Sequence, residues 1–298
     1  MSIAIKDFRV EENSKVRLKD WPTQIKPFFR SDEDYQKQLA ESKVKLSQLQ
    51  DMFYAHDRYS LLIVFQAMDA AGKDSVIKHV MSGVNPQGCQ VFSFKHPSVQ
   101  ELDHDFLWRT TLCLPERGRI GIFNRSYYEE VLIVKVHPSI LTAQKLPKDG
   151  QKDKNFWKRR YQSIVDFEKH LDRNGTKVIK FFLHVSKQEQ ARRFLKRIED
   201  ADKNWKFSID DMKERECWDD YMSAYEDCLS HTSTEKAPWF VVPADNKNNA
   251  RLIVSSVIRE ALKGMKVSYP KIDEAQRKEI LKLRDILAKE SEDDLSKK

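Results

Sequence analysis

The sequence predicts an α/β fold in which a five-stranded parallel sheet lies between two layers of helices. Two observations support this prediction. First, five short runs rich in β-branched or aromatic residues alternate along the chain with helical segments. Second, several of the runs are apolar at every position, as is typical of parallel strands buried on both faces. The runs are residues 60–66, 89–94, 119–123, 177–185 and 238–245.

Length and charge set the broad class of the protein. The 298 residues, 40% of them hydrophobic, suit one large α/β domain or two small ones. The net charge of +7 favours an anionic partner, which could be nucleic acid, a membrane surface or a phosphorylated substrate. All apolar runs are far shorter than the roughly 20 residues that a membrane-spanning helix needs, so none is predicted.

The cysteines and histidines carry no recognisable motif. The four cysteines form no C-x-x-C pair, and the eight histidines form no H-E-x-x-H pair, so we predict neither a disulfide framework nor a structural zinc site. The first residues lack the apolar core of a signal peptide. A reducing cytoplasm is the expected compartment.

The chain begins with a polar segment that contains Pro22 and Pro27, and residues 1–30 are predicted to form an extended arm. Ser31 then suits the N-cap of a helix. The apolar side chains that follow it recur at near-helical spacing and should dock this helix on the sheet. They are Tyr35, Leu39, Leu46, Leu49 and Phe53.

The first strand runs into the stretch "QAMDAAGKDS", which resembles a phosphate-binding loop. The consensus is G-x-x-x-x-G-K-[ST], but Ala67 replaces the first glycine and Asp74 replaces the hydroxyl residue. A strand before the loop and a helix after it would aim backbone N–H groups, the helix dipole and Lys73 at a phosphate. The competing interpretation is a tight turn with a solvated lysine. Asp69 and Asp74 offer the hard oxygen ligands that Mg²⁺ takes.

Two further segments favour the phosphate-binding interpretation. Asn124 and Arg125 follow the third strand, at the sheet edge where ligands bind in open α/β folds, although a polar turn would look similar. After the fourth strand, a long helical excursion carries Arg193 and Arg197, which would lie on one helix face. Lys203 and Lys206 follow. These cations could cover a bound polyanion or simply form a solvated face. As an exposed lid arginine, Arg193 would contribute little to folding, so Arg193→Ala is expected to lower turnover far more than thermal stability.

Five segments of the chain together resemble the family 2 polyphosphate kinases. They are "FQAMDAAGKDSVIKHVMSGVNPQG", "GIFNRSYYEEVL", "FFLHVSKQEQARRFLKRIED", "KNWKFS" and "APWFVVPADNK". The resemblance extends over residues 31–265. It implies a P-loop kinase-like three-layer αβα sandwich with a helical lid at about 186–231. Beyond it, the charged sequence of residues 266–298 itself predicts a C-terminal helix that frays into a tail.

The resemblance also implies an activity. It is the Mg²⁺-dependent, reversible transfer of a phosphoryl group from inorganic polyphosphate to ADP, and also to AMP, GDP or GMP, with Mn²⁺ as an alternative metal. The resemblance further suggests assembly into a homodimer or homotetramer, which the residues themselves do not indicate. Many members have Asp where this chain has Asn124, which leaves the metal ligands at that edge open. Glu129 resembles members that accept both nucleoside mono- and diphosphates.

The candidate site residues fall into three groups. The expected catalytic residues are Asp69, Lys73, Arg125, Arg193 and Arg197. The expected substrate contacts are Ala70, Ala71, Gly72, Asp74, Ser75, Lys78, Asn124, Glu129, Lys203 and Lys206. The expected metal ligands are Asp69 and Asp74. A long donor also needs a cationic track, for which the candidates are Lys78 and Lys145, Lys148, Lys152, Lys154 and Lys158.

Two other functions compete with this hypothesis. An ATP-dependent nucleoside monophosphate kinase of the thymidylate-kinase type would share the sheet and lid but would not need a long basic track. A basic nucleic-acid-binding protein with a vestigial P-loop would bind DNA or RNA with steep salt dependence. The sequence contains no nucleic-acid-reading motif, so we expect no nucleic-acid partner and no membrane partner.

Overall fold

In the computed structural model, which describes residues 3–147 and 153–295, five parallel strands form one sheet. Their order across the sheet is β2-β3-β1-β4-β5, so the strand that precedes the glycine-lysine loop is central. All seven residues of β1 are buried, as its continuous apolar sequence requires. The strands are β1 Ser60–Gln66, β2 Cys89–Ser93, β3 Ile120–Asn124, β4 Thr176–His184 and β5 Trp239–Pro243.

The helices alternate with the strands and vary widely in length. In the described part of the chain they are α1 Asp32–His56, α2 Lys73–Met81, α3 Val99–Leu102, α4 Trp108–Thr111, α5 Ile133–Val136, α6 Phe156–Arg173, α7 Lys187–Glu199, α8 Ile209–Glu216, α9 Trp218–Thr232, α10 Lys247–Gly264 and α11 Glu274–Leu295. Short 3-10 segments connect several of them.

The helices form the two outer layers of a three-layer sandwich. α1, α2 and α10 pack together on one face, and α5, α6 and α9 pack together on the other. The predicted α/β fold with a five-stranded parallel sheet is therefore confirmed. Strand ends differ slightly from the predicted ones. The predicted N-cap is also confirmed, since the Ser31 hydroxyl accepts a hydrogen bond from the Asp34 backbone N–H.

The predicted lid range contains two kinds of helix. α7 and α8, joined by the 3-10 segment Ala201–Lys206, lie beside the carboxyl end of the sheet. α9 is instead part of the packed layer, because its inner face, which includes Tyr225 and Leu229, is buried in the core. No helix in the described residues is apolar over a length that could cross a bilayer.

The N-terminal arm runs along the edge of the sheet beside β5. The Val10 N–H donates to the Trp239 carbonyl at 2.9 Å. Further on, the Thr23 hydroxyl donates to the Asp245 carboxylate at 2.8 Å, and the same carboxylate accepts the Ser186 N–H at 2.8 Å. Ser186 caps α7, so the arm is connected to the start of this helix.

His184, at the end of β4, should make the fold sensitive to acid. Burial lowers the pKa of His184 to about 4, against about 6.5 in an unfolded chain. The unfolded chain therefore takes up the proton first, and stability is lost as pH falls from about 6.5 towards 4. At pH 5 this loss amounts to roughly 2 kcal/mol.

We therefore expect His184→Gln to reduce the difference in unfolding free energy between pH 7 and pH 5 by about that amount. Urea denaturation at both pH values measures it. An unchanged difference would show that other groups control the acid response.

Candidate active site

The loop between β1 and α2 has the geometry of a phosphate cradle. Lys73 begins α2 and is buried, and its Nζ donates to the Ala67 carbonyl at 2.8 Å. Gly72 has a φ of 107°, in the region that favours glycine, and Ala70 has a φ of 59°. These left-handed residues turn the chain sharply between strand and helix, so the helix N-terminus faces the end of the sheet.

Both departures from the loop consensus have a structural explanation. Ala67 does not have a positive φ, so a Cβ is tolerated where the consensus has glycine. Asp74 accepts a hydrogen bond at its Oδ1 from the Asn124 side-chain amide at 2.7 Å. An aspartate at 124 would instead place two carboxylates in contact. Asn124 and Asp74 thus form a matched pair across the loop and β3.

Arg125 connects the same strand end to the loop. Its Nη2 donates to Asp69 Oδ1 at 2.9 Å, and its backbone N–H donates to the Phe65 carbonyl at 3.0 Å. Arg125 has a φ of 63°, an uncommon conformation for a residue with a side chain. This conformation directs the residue towards the loop, where both the arginine and Asp69 remain partly exposed.

A cavity of about 550 Å³ lies over this loop. All but three of the predicted site residues line it: Asp69, Ala70, Gly72, Lys73, Asp74, Ser75, Asn124, Arg125, Arg193, Arg197, Lys203 and Lys206. The structure thus brings the loop, the end of β3 and the lid segment to one site. Since most charged groups in the wall are cations, the cavity suits a multiply charged anion.

Three predicted residues do not line this cavity. Ala71 is buried beneath the loop, where its carbonyl accepts a hydrogen bond from Arg193 at 2.6 Å. Lys78 is exposed on α2. Glu129 is half-buried; burial raises the pKa of its carboxyl, and the charges of Arg125 and Lys73 act in the opposite direction.

The expectation that Arg193 is an exposed lid residue is wrong. Arg193 is 7% exposed and pairs with Glu189 at 2.9 Å. Its guanidinium also donates to four backbone carbonyls, those of Ala70, Ala71, Ala244 and Asp245, at distances from 2.6 to 3.2 Å. Arg193 therefore fixes the loop after β1 to the segment after β5. This structural role is separate from its place in the cavity wall.

Arg197, one turn further along α7, has a different environment. Its Nη1 donates to the Lys206 carbonyl at 3.1 Å and lies 3.5 Å from Asp211 Oδ2 on α8. Burial and the negative charge of Asp69 raise the pKa of Asp211. Arg197 keeps 23% of its side chain exposed, so it can change partners when an anion enters the cavity.

The electrostatics at Lys73 also suit an anion. Burial lowers the pKa of Lys73 and the charge of Arg125 acts in the same direction, while Asp69 and Glu129 oppose them. A phosphate beside the ammonium would favour its charged form, because an opposite charge at short distance outweighs part of the desolvation cost. The binding of a phosphate and a charged Lys73 therefore support each other.

Besides Lys196, a further cation of α7, the cavity wall contains four residues at strand ends that sequence reasoning missed: Ser93, Phe94, Lys95 and Lys247. The first three lie at the end of β2, and Lys247 begins α10 after β5. The rule that selected Asn124 and Arg125, that ligands bind at the carboxyl ends of parallel strands, would have identified them if it had been applied to every strand.

A second cavity of about 500 Å³ adjoins the first. The two share Arg193, Lys196 and Lys247, and Arg192 extends the basic wall outward. Of the predicted cationic track, Lys145 is paired with Asp103, while Lys154 and Lys158 line neither cavity. Lys148 and Lys152 lie outside the described residues. The basic extension of the site therefore runs between α7 and α10.

The residues that could hold a metal are few. Among the described residues, no group of three or more histidine, cysteine or acidic side chains has the arrangement of a metal site. Asp69 and Asp74 both line the main cavity, and each has a second carboxylate oxygen beyond the one already hydrogen-bonded. This donor set suits Mg²⁺, which commonly takes one or two carboxylates and completes its shell with phosphate oxygens and water.

Comparison with known proteins gives consistent results. A family model described as Polyphosphate kinase 2 matches residues 29–270. The chain is 60% identical to an ADP-polyphosphate phosphotransferase of Rhodopseudomonas palustris, covering 97% of this chain and 100% of the relative. It is 39% identical to an AMP/ADP-polyphosphate phosphotransferase of Meiothermus ruber, covering 93% and 100%. The crystal structure of polyphosphate kinase 2 from Arthrobacter aurescens TC1 superposes with a TM-score of 0.82 at 38% identity, covering 93% of this chain and 96% of that one.

Proposed function

Because the chain belongs to the polyphosphate kinase 2 family, we propose that its main cavity transfers phosphoryl groups from inorganic polyphosphate to purine nucleotides. The observation that carries this proposal is that the cations of the main cavity, such as Arg125 and Lys73, continue through the shared Lys196 and Lys247 to Arg192 in the second cavity. A nucleoside triphosphate would present only a short anionic segment to these cations. A polyphosphate chain can instead contact the cations of both cavities along its whole length.

The chain's own residues account for the chemistry. A terminal phosphate oxygen of the nucleotide attacks the end phosphorus of polyphosphate, a new P–O bond forms, and the bond to the next phosphate breaks. The donor leaves one phosphate shorter. Because the attacking oxygen is already ionised at pH 7, no strong general base is needed. Lys73, Arg125 and Arg197 can hold the phosphates in line and offset the charge on the transferred group.

The same residues accommodate a divalent cation. Asp69 and Asp74 would hold Mg²⁺, with Mn²⁺ as an alternative, and the ion would supply charge neutralisation between donor and acceptor oxygens. Asn124 would act through its hydrogen bond to Asp74. We further propose a cytoplasmic homodimer or homotetramer; the four free cysteines suit a reducing compartment.

Donor and acceptor would approach from opposite sides of the loop. Lys196, Lys247 and Arg192 lie on the side of α7 and α10, where the donor would extend. Lys95 and Arg125, at the ends of β2 and β3, face the other side, where the nucleotide would bind. An ATP-dependent monophosphate kinase would not need the cations on the side of α7 and α10, because its donor has no long phosphate chain.

The direct test is to incubate the protein with Mg²⁺ and long-chain polyphosphate in the presence of ADP, AMP or GDP, and to measure the phosphorylated nucleotide. We expect product with ADP and a smaller rate with AMP. The competing kinase hypothesis requires product from ATP and AMP, and none from polyphosphate. That result would overturn the proposal.

Lys247→Ala should reveal the donor side. We expect the KM for long-chain polyphosphate to rise roughly 3- to 10-fold, because one charge-assisted contact to a phosphate is lost. The KM for ADP, and the rate with a short donor such as tetraphosphate, should change little. Lys154→Ala, a lysine outside both cavities, is the matched control. Equal effects on the long and short donors would show that the polyphosphate chain does not extend along Lys247.

A further inference from the structure

The segment that carries Glu129 is held from behind by buried side chains. Residues Tyr127–Val131 form a 3-10 turn directly after Arg125 and Ser126. Tyr127 and Tyr128 are fully buried and Glu130 nearly so. Glu129 is only partly buried by comparison, and it is the acidic residue of the turn whose carboxylate is influenced by Arg125 and Lys73.

One carboxylate on α6 anchors both tyrosines. Glu168 Oε1 accepts hydrogen bonds from the Tyr127 hydroxyl at 2.9 Å and the Tyr128 hydroxyl at 2.8 Å. Its Oε2 pairs with Lys180 Nζ at 2.5 Å, and Lys180 also donates to the Thr232 carbonyl at 2.8 Å. Glu168 is 1% exposed, so these contacts replace all of its hydration. The two residues before Glu129 are therefore fixed in position.

A second residue of α6 holds the residue after Glu129. Arg160 Nη1 donates to both the backbone carbonyl and Oε2 of Glu130, each at 3.0 Å. Arg160 and Glu168 are two turns apart on the same helix, in a row of side chains that faces the turn. The turn is thus held on both sides of Glu129 by one helix, which lines no part of the main cavity.

The position of the turn matters through Arg125. Arg125 lies two residues before the turn, lines the cavity wall and donates to Asp69 at 2.9 Å, and the intervening Ser126 accepts the Tyr128 backbone N–H at its Oγ. AMP and ADP differ in reach by one phosphate, about 3 Å, and a displacement of about 1 Å can cost a hundredfold in transfer rate. A small shift of the turn would therefore move Arg125 and change which acceptor places its terminal oxygen correctly.

We propose that Glu168, acting through Tyr128, is a positioning residue that sets the preference between nucleoside mono- and diphosphates. The inference rests on the proposed polyphosphate transfer, since it concerns the acceptor end of that site. It assigns acceptor selection partly to a buried network behind the cavity. A purely structural network would instead change the amount of folded enzyme and affect both acceptors equally.

The test compares Tyr128→Phe and Glu168→Gln with Tyr161→Phe. The Tyr161 hydroxyl belongs to the same helix α6 but accepts from Lys135 Nζ at 3.2 Å, away from the turn. For each folded variant, kcat/KM is measured with AMP and with ADP at saturating polyphosphate, alongside the melting temperature. We expect the AMP-to-ADP ratio to fall threefold or more in Tyr128→Phe and Glu168→Gln, and to stay unchanged in Tyr161→Phe.

The AMP-to-ADP ratio of kcat/KM tests the positioning role even if Glu168→Gln does not fold, because Tyr128→Phe removes only one hydroxyl and keeps the ring. An unchanged ratio in folded Tyr128→Phe overturns the positioning role while leaving the transfer activity intact. A wild-type protein that uses neither acceptor with polyphosphate overturns the proposed function and this inference with it.

Discussion

Lys73→Ala should abolish phosphoryl transfer, with kcat/KM for ADP and polyphosphate falling by about 10³-fold or more. Lys73 is the cation at the start of α2, and its buried ammonium lies in the wall where the transferred phosphoryl would sit. In phosphoryl transfer, catalysis consists almost entirely of positioning and charge stabilisation, so the loss of this charge has no chemical substitute. Luminescent detection of ATP formed from ADP and polyphosphate measures the effect.

Lys78→Ala is the matched control for this prediction. It removes an exposed lysine from the same helix, and this lysine does not line either basic cavity. We expect its activity to stay within about twofold of wild type, since an isolated surface charge contributes little. If Lys73→Ala retained a tenth or more of the wild-type rate while Lys78→Ala lost most of it, the proposed orientation of the loop would be wrong.

Arg193→Ala and Arg197→Ala should separate stability from catalysis. Arg193→Ala leaves four backbone carbonyls without their buried donor and leaves Glu189 with only the exposed Arg192 as a partner, so we expect a loss of roughly 3 kcal/mol in unfolding free energy and a loss of most activity. For a chain of this size, that corresponds to a fall in melting temperature of about 5–10 °C. Arg197→Ala should lower kcat more than tenfold with only a small change in melting temperature.

Differential scanning fluorimetry and steady-state kinetics on the two variants make the comparison. The pair is well matched, because the two arginines are one turn apart on α7 and carry the same charge. Equal thermal stability of Arg193→Ala and Arg197→Ala would contradict the anchoring role of Arg193. A fully active Arg197→Ala would exclude Arg197 from the phosphate contacts.

The fold could be predicted from the sequence because its signals are local. A strand buried on both faces must be apolar throughout, and Leu61–Phe65 satisfies this without reference to any neighbour. The loop was recognisable for a similar reason, since a glycine and a lysine between a strand and a helix need only their own backbone to form a phosphate cradle. Asn124 and Arg125 followed from the general rule for parallel sheets.

The environment of each cation could not be predicted in the same way. Helical spacing places Arg193 and Arg197 on one face, but it does not show what lies opposite each of them. The loop backbone covers Arg193, whereas Asp211 faces Arg197 across the lid. The course of the basic track depends on tertiary contacts in the same way. Lys154 and Lys158, close together in sequence, line neither cavity, while Lys196 and Lys247, distant in sequence, line both.

The sequence by itself therefore determined the sheet, the tight loop between β1 and α2 with its glycine and lysine, and the residue types that a polyanion site needs, because periodicity and turn chemistry act over a few residues. The tertiary structure decided which cations face the cavity, which one is a buried anchor, and how α6 holds the turn around Glu129. These properties depend on burial and on partners that are distant along the chain. They arise only when the strand ends and the lid meet at one edge of the sheet.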